Sequence, residues 1–320
     1  MTSPLLKVKD LSLGVKTSNH LLQLTDRVSF DIGEGEMVAL VGESGCGKSI
    51  TAMAIAGLLP DPNGVKIEGE VVFEGKDLWK GNPKDWQNLR ASRLSMIFQE
   101  PSSALNPLMP VSSQMAEIFT LKGRPVDMQH LRRSLDEVGI PDPDRVLKSY
   151  PHELSGGMLQ RVMIAMALLL SPKLIIADEP TTALDVTVQA QVMEILTKLQ
   201  KDIGTAILLI THNLGLVAQY ANALNVMYAG RIVERANTRD FLAKPLHPYS
   251  HGLLKALPRL DGTPLEAIPG SVPSPDKFSD GCRFAERCTH RKEACSQPPP
   301  WKVRSGNEDG GYACILEGER

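Results

Sequence analysis

The 320-residue sequence has no long hydrophobic run and no excess of one charge. Its longest uninterrupted apolar stretch, residues 162–170, is far shorter than the ~20 residues that a helix needs to span a bilayer. The amino-terminal segment has no apolar core of the kind found in signal peptides. Lysine and arginine number 35 against 37 acidic residues, which gives a net charge of −2. This balance offers no general attraction for nucleic acid, and we expect a soluble cytosolic protein.

Cysteines are few, and four of the five occur near the carboxyl terminus. Cys46 stands alone, whereas the others are spaced C-x5-C-x6-C-x18-C at Cys282, Cys288, Cys295 and Cys314. Thiols stay reduced in the cytosol, so disulfide pairs are disfavoured. Four thiolates suit either a zinc ion or an iron–sulfur cluster. The sequence lacks the C-x2–4-C pair that is usual in structural zinc sites, which favours the cluster over zinc.

Short apolar runs alternate along the chain with segments of helical periodicity. The predicted strands are residues 37–41, 95–99, 174–177 and 205–211. The predicted helices are residues 48–59, 127–139, 156–171, 186–203 and 214–220. This alternation is typical of an α/β fold, with a mixed or mainly parallel sheet and helices on both faces.

The pattern changes at two places along the chain. The interval from about residue 100 to 172 is mostly helical and indicates an inserted helical subdomain. From Pro245 onward proline, glycine and cysteine become more frequent, and helical periodicity fades after Leu257. We therefore expect one domain over residues 1–240 and a small irregular region over residues 241–320.

A glycine-rich loop with the pattern GxxxxGKS lies between the first predicted strand and the first predicted helix. Such a loop wraps triphosphates with backbone N–H groups, places a lysine on the β- and γ-phosphates and supplies a hydroxyl to Mg²⁺. A glycine-rich turn without a ligand is the alternative, and the strand and helix around the loop argue against it. The predicted ATP-binding residues are Gly42, Glu43, Ser44, Gly45, Cys46, Gly47, Lys48, Ser49 and Ile50.

Two carboxylates, Asp178 and Glu179, end the predicted strand at 174–177. In a phosphate-loop protein the first carboxylate holds Mg²⁺. The second stands where it can orient and deprotonate the attacking water. A strand end that simply turns to solvent is the alternative, and the phosphate loop earlier in the chain weakens it.

Two further patterns indicate contacts with phosphate. Ser155, Gly156 and Gly157 open a long apolar helix, where a hydroxyl cap and free N–H groups form an anion site. An ordinary capped helix explains the same local pattern equally well. His212 follows a predicted strand at the sheet edge that we expect to carry the carboxylates. A structural histidine is the alternative there.

In combination these motifs resemble the ATPase subunit of ABC transporters. GESGCGKS, FQEP, LSGGMLQ, LIIADEP, ALD and ITH follow one another in the order found in that family. The stretch HPYSHGLL, at residues 247–254, resembles a carboxyl-terminal motif of the dipeptide and oligopeptide (peptide/nickel) importers. The four late cysteines resemble those of importer ATPases that carry a [4Fe–4S] cluster, with zinc as the alternative.

The resemblance implies a role for each matching residue. Gln99 contacts Mg²⁺ or the attacking water, Glu179 is the general base, and His212 contacts the γ-phosphate. Mg²⁺ is held through Ser49, Gln99 and Asp178. The segment from Ser155 to Gly157 is the signature loop, which contacts the ATP held by a partner ATPase subunit.

The resemblance also implies a function and a set of partners. Hydrolysis of ATP would energise the uptake of dipeptides or oligopeptides. The alternatives are a nickel or antimicrobial-peptide importer and a soluble ABC ATPase without a transport role. The expected partners are a second ATPase subunit (a paralogue, forming a heterodimer), two transmembrane permeases and an extracytoplasmic substrate-binding protein, with no nucleic acid. The expected location is peripheral, on the cytoplasmic face of the inner membrane.

Overall fold

The computed structural model describes residues 3–17, 20–59, 64–182, 184–257 and 266–316, so that Ala183 of the ALD motif lies outside the described residues. Strands β1 to β12 of this part of the chain are, in order, Leu6–Lys16, Leu21–Ile32, Met37–Val41, Val65–Phe73, Lys76–Asp77, Leu94–Ile97, Leu174–Asp178, Ala206–Thr211, Ala223–Tyr228, Arg231–Asn237, Trp301–Arg304 and Asn307–Ala313. Helices α1 to α11 are Lys48–Ala56, Pro83–Ser92, Pro101–Ala104, Val111–Leu121, Met128–Glu137, Pro143–Lys148, Gly156–Leu169, Val186–Ile203, Leu214–Tyr220, Thr238–Ala243 and Pro248–Lys255.

The ends of the predicted elements follow local capping signals. Helix α8 begins after Asp185, whose side chain accepts hydrogen bonds from the first turn, as expected of an N-cap. Helix α9 begins in the same way after Asn213. Helix α1 ends at Ala56, three residues before the predicted end, because Gly57 adopts a left-handed conformation (φ +64°). The predicted strand at 95–99 is β6, which ends at Ile97.

The chain divides into two compact units. The first consists of the described residues within Met1–Gly33, Met37–Trp79 and Ile210–Arg320. It contains an antiparallel sheet with strand order β2-β1-β4-β5, which the sequence did not predict. It also contains the strand order β11-β12-β10-β9-β3, in which β3 and β9 are parallel and the other pairs are antiparallel. The first unit is therefore built on mixed strand pairing.

The carboxyl-terminal region of the first unit joins this mixed sheet. Strand β12 pairs with β10, with Tyr312 opposite Glu234, and β11 closes the edge as a hairpin. Three aromatic side chains from distant parts of the chain pack together, Tyr228, Tyr249 and Phe284, with ring centroids 4.7–5.4 Å apart. Edge-to-face contacts at this separation stabilise beyond the area that they bury. The region thus shares a hydrophobic core with β3 and β9.

The second unit consists of Glu34–Glu36 and the described residues within Lys80–Leu209. Strands β6 and β7 are parallel neighbours, and every residue of β7 is buried. Helix α7 buries most of its apolar residues and packs against α3, α4 and α5. The helices of this unit include those of the expected helical subdomain. The architecture places Asp178 at the carboxyl end of a fully buried strand.

A buried polar group holds the start of helix α11 in the first unit. The Glu234 carboxylate is fully buried and accepts N–H groups from Leu246 and His247, at 2.8–3.0 Å, and the Arg304 guanidinium at 3.2 Å. His247 Nδ1 accepts the Tyr249 N–H at 3.1 Å and thereby caps the helix. Burial, with a smaller contribution from His251, lowers the pKa of His247 to about 3. The imidazole is therefore neutral in the folded protein.

The neutral His247 makes stability depend on pH. An unfolded histidine takes up a proton near pH ~6.5, whereas the folded group stays neutral down to a pKa of about 3. The unfolded chain therefore binds more protons in that window, and stability falls as the pH is lowered. Between pH ~6.5 and ~5 we expect this site to remove about 2 kcal/mol from the free energy of unfolding.

The variant His247→Asn tests this expectation, because asparagine still caps the helix but does not titrate. Urea unfolding across the same pH range measures the free energy of unfolding of both chains. Glu234 and His251 titrate in both, so the difference in slope isolates residue 247. Parallel pH profiles for the two chains would contradict the neutral histidine.

Candidate functional site

The glycine-rich loop packs closely on the end of strand β9. Gly42 and Gly47 have φ angles of +156° and +106°. A Cβ at Gly42 would lie 2.2 Å from the Met227 carbonyl oxygen, and a Cβ at Gly47 would lie 2.9 Å from the Met227 side chain. Ser44 and Gly45 are exposed at the tip of the loop. The backbone therefore needs glycine at both ends, while its tip stays open to a ligand.

The lysine of the loop is folded against the loop's own carbonyl groups. Lys48 is 5% exposed, and its Nζ donates to the carbonyl oxygens of Gly42 (2.9 Å) and Glu43 (3.1 Å). Ser49 and Ile50 follow in the first turn of helix α1. The ammonium group and the helix N-terminus together form an arrangement that attracts phosphate.

Cys46 is a buried residue within the loop. Burial raises the pKa of its thiol, while the neighbouring Lys48 acts in the opposite direction. A thiol of this kind stays protonated, and a protonated thiol is a poor nucleophile. Cys46 is therefore a small residue packed within the loop, and its environment does not favour reaction as a redox switch.

The second unit brings Gln99 and Glu179 together. Gln99 Nε2 donates to Glu179 Oε2 at 3.3 Å, and the Thr182 hydroxyl donates to the same oxygen at 2.8 Å. Glu179 has a φ of +45°, which is costly for a residue other than glycine. Asp178, just before it, is 5% exposed. A carboxylate held in a strained conformation by two donors is typical of a functional position.

Thr182 is a partner of Glu179 that no motif in the sequence marks. Its only local signal is its place three residues after the glutamate. That spacing allows the Thr182 N–H to donate to the Glu179 carbonyl at 3.1 Å in a tight turn. The turn aims the hydroxyl at the carboxylate.

The predicted anion site at the start of helix α7 is an exposed helix N-terminus. Ser155 caps the helix, and its Oγ accepts the Met158 N–H at 3.3 Å. A Cβ at Gly156 would meet nothing within 4 Å, whereas one at Gly157 would lie 3.1 Å from Val188. The exposed side of Gly156 therefore leaves room for an anion beside the helix terminus.

His212 follows strand β8 and belongs to the first unit. Its side chain is exposed. The next residue, Asn213, caps helix α9 by accepting the N–H groups of Gly215 and Leu216. The strand end and the capped helix hold the backbone of His212 from both sides.

The four late cysteines lie in one part of the first unit. None of the chain's cysteines, all of which the structure describes, is in a disulfide. The pKa of Cys282 is raised to about 11, mainly by burial, and the neighbouring Cys295, Cys314 and Cys288 act in the same direction. The Cys282 N–H also donates to the Cys295 carbonyl oxygen at 2.9 Å. The four thiols are thus close enough to influence one another's ionisation.

The spacing of these thiols bears on which group they fit. Among the described residues, no three histidine, cysteine or acidic side chains are close enough to hold a single metal ion. This finding gives no support to the zinc alternative, because structural zinc sites need four ligands around one ion. The same finding gives no support to an iron–sulfur cluster either, so the cluster stays a prediction from the sequence.

Comparison with known proteins identifies the class. A family model described as "ABC transporter" matches residues 25–182. The ATP-binding cassette MJ0796, solved as a dimer in a post-hydrolysis state with ADP and Pi, aligns with a TM-score of 0.65 and 26% identity. The alignment covers 73% of this chain and 99% of that one. CbiO1 of Clostridium perfringens, part of the ABC transporter complex CbiONQ, aligns with a TM-score of 0.63 and 26% identity, covering 76% of this chain and 92% of that one. The protein is an ATPase of the ABC type.

The family within this class follows from the whole length of the chain. A second model, described as the carboxyl-terminal region of oligopeptide/dipeptide transporters, matches residues 233–295. The oligopeptide transport ATP-binding protein AppD of Bacillus subtilis is 45% identical over 95% of both chains. OppD of Escherichia coli is 47% identical over 92% of this chain and 89% of its own. The chain belongs to the family of oligopeptide and dipeptide transport ATP-binding proteins.

Two glycines of the loop give contrasting predictions. Gly42→Ala places a methyl group against the Met227 carbonyl oxygen, which forces the loop to move. We expect a loss of at least ~2 kcal/mol in stability and a loss of ATP binding. In Gly45→Ala the new methyl group has no atom within 4 Å. The only cost is that of a left-handed backbone at alanine (φ +80°), ~1 kcal/mol. Thermal unfolding and ATP titration of both variants measure the difference, and equal effects would contradict the packing of the loop on β9.

Proposed function

We propose that this chain binds MgATP and hydrolyses it to drive the uptake of oligopeptides or dipeptides. The observation that carries the proposal is the extent of the match to the peptide transport proteins. It runs through the carboxyl-terminal region as well as the nucleotide-binding part. A match to ATP-binding cassettes in general would not include that region. Residues 1–240 form the ATPase domain with its helical subdomain at about 100–172, and residues 241–320 form the importer-type extension.

Each candidate residue has a chemical role in this proposal. Lys48 and the N–H groups of residues 42–50 hold the phosphates, except those of Glu43 and Cys46, which donate to Tyr249 Oη and to the Glu43 carbonyl oxygen. The N-terminus of helix α1 lies behind them. Ser49, Gln99 and Asp178 hold Mg²⁺ through hydroxyl, amide and carboxylate oxygens, which are the donors that Mg²⁺ prefers. Glu179 takes the proton of the attacking water, and His212 contacts the γ-phosphate.

The hydrogen bonds at Glu179 support its assignment as the base. A general base must keep its reactive oxygens on the water that it deprotonates. Gln99 and Thr182 both donate to Oε2, which fixes the orientation of the carboxylate for its work on the water. The left-handed backbone at Glu179 contributes to the same orientation.

The signature loop acts on a second ATPase subunit in this proposal. The exposed helix terminus at Ser155, Gly156 and Gly157 contacts the ATP bound by that subunit, which is a paralogue in a heterodimer. Two permeases and an extracytoplasmic substrate-binding protein complete the importer, and nucleic acid has no part in it. Among the described residues, none of the helices has both the length and the apolarity to cross a bilayer. The chain sits peripherally on the cytoplasmic face of the inner membrane by binding the permeases.

Replacement of the proposed base tests the enzymatic part. Glu179→Gln keeps the side-chain shape but removes the proton acceptor, so we expect hydrolysis to fall at least ~100-fold. ATP binding should persist, and the ATP-bound dimer of ATPase subunits should accumulate. Phosphate release by the assembled importer measures hydrolysis. The size of the ATPase subunits in the presence of ATP measures the dimer. The exposed Glu194 on helix α8 gives a matched control as Glu194→Gln, and near wild-type turnover in Glu179→Gln would refute the assignment.

We also propose that Cys282, Cys288, Cys295 and Cys314 hold a [4Fe–4S] cluster. The support for a cluster over zinc is the spacing of the four cysteines, which lacks the close pair usual in structural zinc sites, together with their disulfide-free thiols. The bound cluster would supply four iron–thiolate bonds. The segment then has a covalent link between residues that are otherwise joined by loops and a short hairpin. Its role is structural.

Iron analysis tests the cluster directly. The chain purified without oxygen should be brown and contain about four iron atoms. Cys288→Ser should lose iron and lower the unfolding temperature. Cys46→Ser should retain its iron, because that residue belongs to the phosphate loop. Stoichiometric zinc, or a stable chain without iron, would contradict the cluster.

A further inference from the structure

Two side chains of the carboxyl-terminal region hold the second residue of the phosphate loop. The Glu43 N–H donates to the Tyr249 Oη at 2.9 Å. The Glu43 Oε2 accepts from Arg287 Nη1 at 2.9 Å. These partners are 206 and 244 residues away along the chain. The loop is therefore anchored from a region that the assigned ATP chemistry does not include.

The two side chains that hold Glu43, those of Arg287 and Tyr249, are themselves fixed by further contacts. The Arg287 side chain is 7% exposed, and its guanidinium also donates to the Pro269 carbonyl oxygen at 2.7 Å and to the Tyr228 Oη at 3.3 Å. Tyr249 is fully buried in the aromatic cluster with Tyr228. Neither group has freedom to follow the loop, so Glu43 is held to a fixed position.

Glu43 in turn contacts the lysine of the loop. Its carbonyl oxygen accepts from Lys48 Nζ at 3.1 Å and from the Cys46 N–H at 3.3 Å. A displacement of Glu43 therefore moves the group against which Lys48 is held. The path from Arg287 to the phosphate-binding ammonium group passes through a single residue.

The charge of Glu43 gives Arg287 a second effect. A carboxylate in a loop that binds triphosphate repels the ligand unless a cation neutralises it. Arg287 is the hydrogen-bond partner of this carboxylate, whose other oxygen, Oε1, is buried without a partner among the described residues. Removal of the guanidinium would leave the negative charge unpaired at the edge of the phosphate site.

We propose that Arg287, together with Tyr249, is a positioning residue for ATP binding, which fixes Glu43 and neutralises its charge. The proposal rests on the proposed function of the phosphate loop. It gives the tyrosine of the HPY stretch a role as the acceptor that ties the loop to helix α11. It also links the segment between Cys282 and Cys288, which contains Arg287, to the nucleotide.

Equilibrium titration of the full chain with a fluorescent ATP analogue, mant-ATP, tests this role. Arg287→Met keeps the side-chain volume but removes the charge, and we expect the Kd to rise about tenfold. Arg287→Lys retains the charge, so its Kd should stay within about threefold of the wild type. The double variant with Glu43→Gln removes both charges, so it should bind more tightly than Arg287→Met alone.

Arg283→Met is the matched control, because Arg283 lies in the same segment and its hydrogen bonds go to Asp26, Ala229 and Ser279 and not to Glu43. Its unfolding temperature should fall while its Kd stays unchanged. Tyr249→Phe removes only the hydroxyl and should raise the Kd about threefold. It serves as the test if Arg287→Met does not fold.

The outcomes separate this proposal from the proposed function. An Arg287→Met chain with lowered stability and an unchanged Kd would overturn the positioning role, and so would additive effects of Arg287→Met and Glu43→Gln. If Arg287→Met does not fold, an unchanged Kd in Tyr249→Phe overturns it. Lys48→Ala should abolish binding. Full affinity in Lys48→Ala would overturn the ATP site itself, and this proposal with it.

Discussion

The hydrogen bond between Glu43 and Arg287 constrains the shape of the phosphate loop, and the proposed binding of ATP by the first unit depends on that shape. A phosphate loop must keep its backbone N–H groups pointed at one place, and glycines that permit this shape do not enforce it. Here contacts with other segments hold the loop in shape. Its two glycine ends pack on Met227, and Arg287 holds Glu43. The strength of such an anchor comes from the burial of the Arg287 side chain, which is 7% exposed, because a charge-assisted bond outside water is stronger than one at the surface.

The carboxyl-terminal region is part of the first unit's core, which explains how it reaches the loop. Strand β12 extends the sheet beyond β10, and Phe284 packs against the rings of both Tyr228 and Tyr249. The short segment between Cys282 and Cys288 contributes Arg283, Phe284 and Arg287 to this core. A group that fixes the cysteines at either end of the segment therefore also fixes the loop.

The sequence predicted what local signals determine, and it missed what depends on distant contacts. Helices α8 and α9 have the predicted bounds because Asp185 and Asn213 cap them, and the glycines mark the phosphate loop directly. The hydrogen bond from Gln99 to Glu179 and the pairing of Arg287 with Glu43 join residues far apart in the chain and leave no local trace. The bond from Thr182 to Glu179 has only its three-residue spacing as a signal. The antiparallel sheet of β1, β2, β4 and β5 was missed because bulges in β1 interrupt the alternation that marks a strand.

Hydrogen exchange of the backbone amides in the phosphate loop is the most direct measurement of the central claim, that the carboxyl-terminal segment holds this loop in shape. Exchange of the peptide over residues 42–47 is compared in the nucleotide-free wild type and in Cys288→Ser, with helix α4 of the second unit as the internal reference. The account predicts that loss of the cysteine accelerates exchange in the loop and leaves α4 unchanged, since α4 has its own buried contacts. Unchanged protection of residues 42–47 in a chain whose cysteine segment has opened would contradict it.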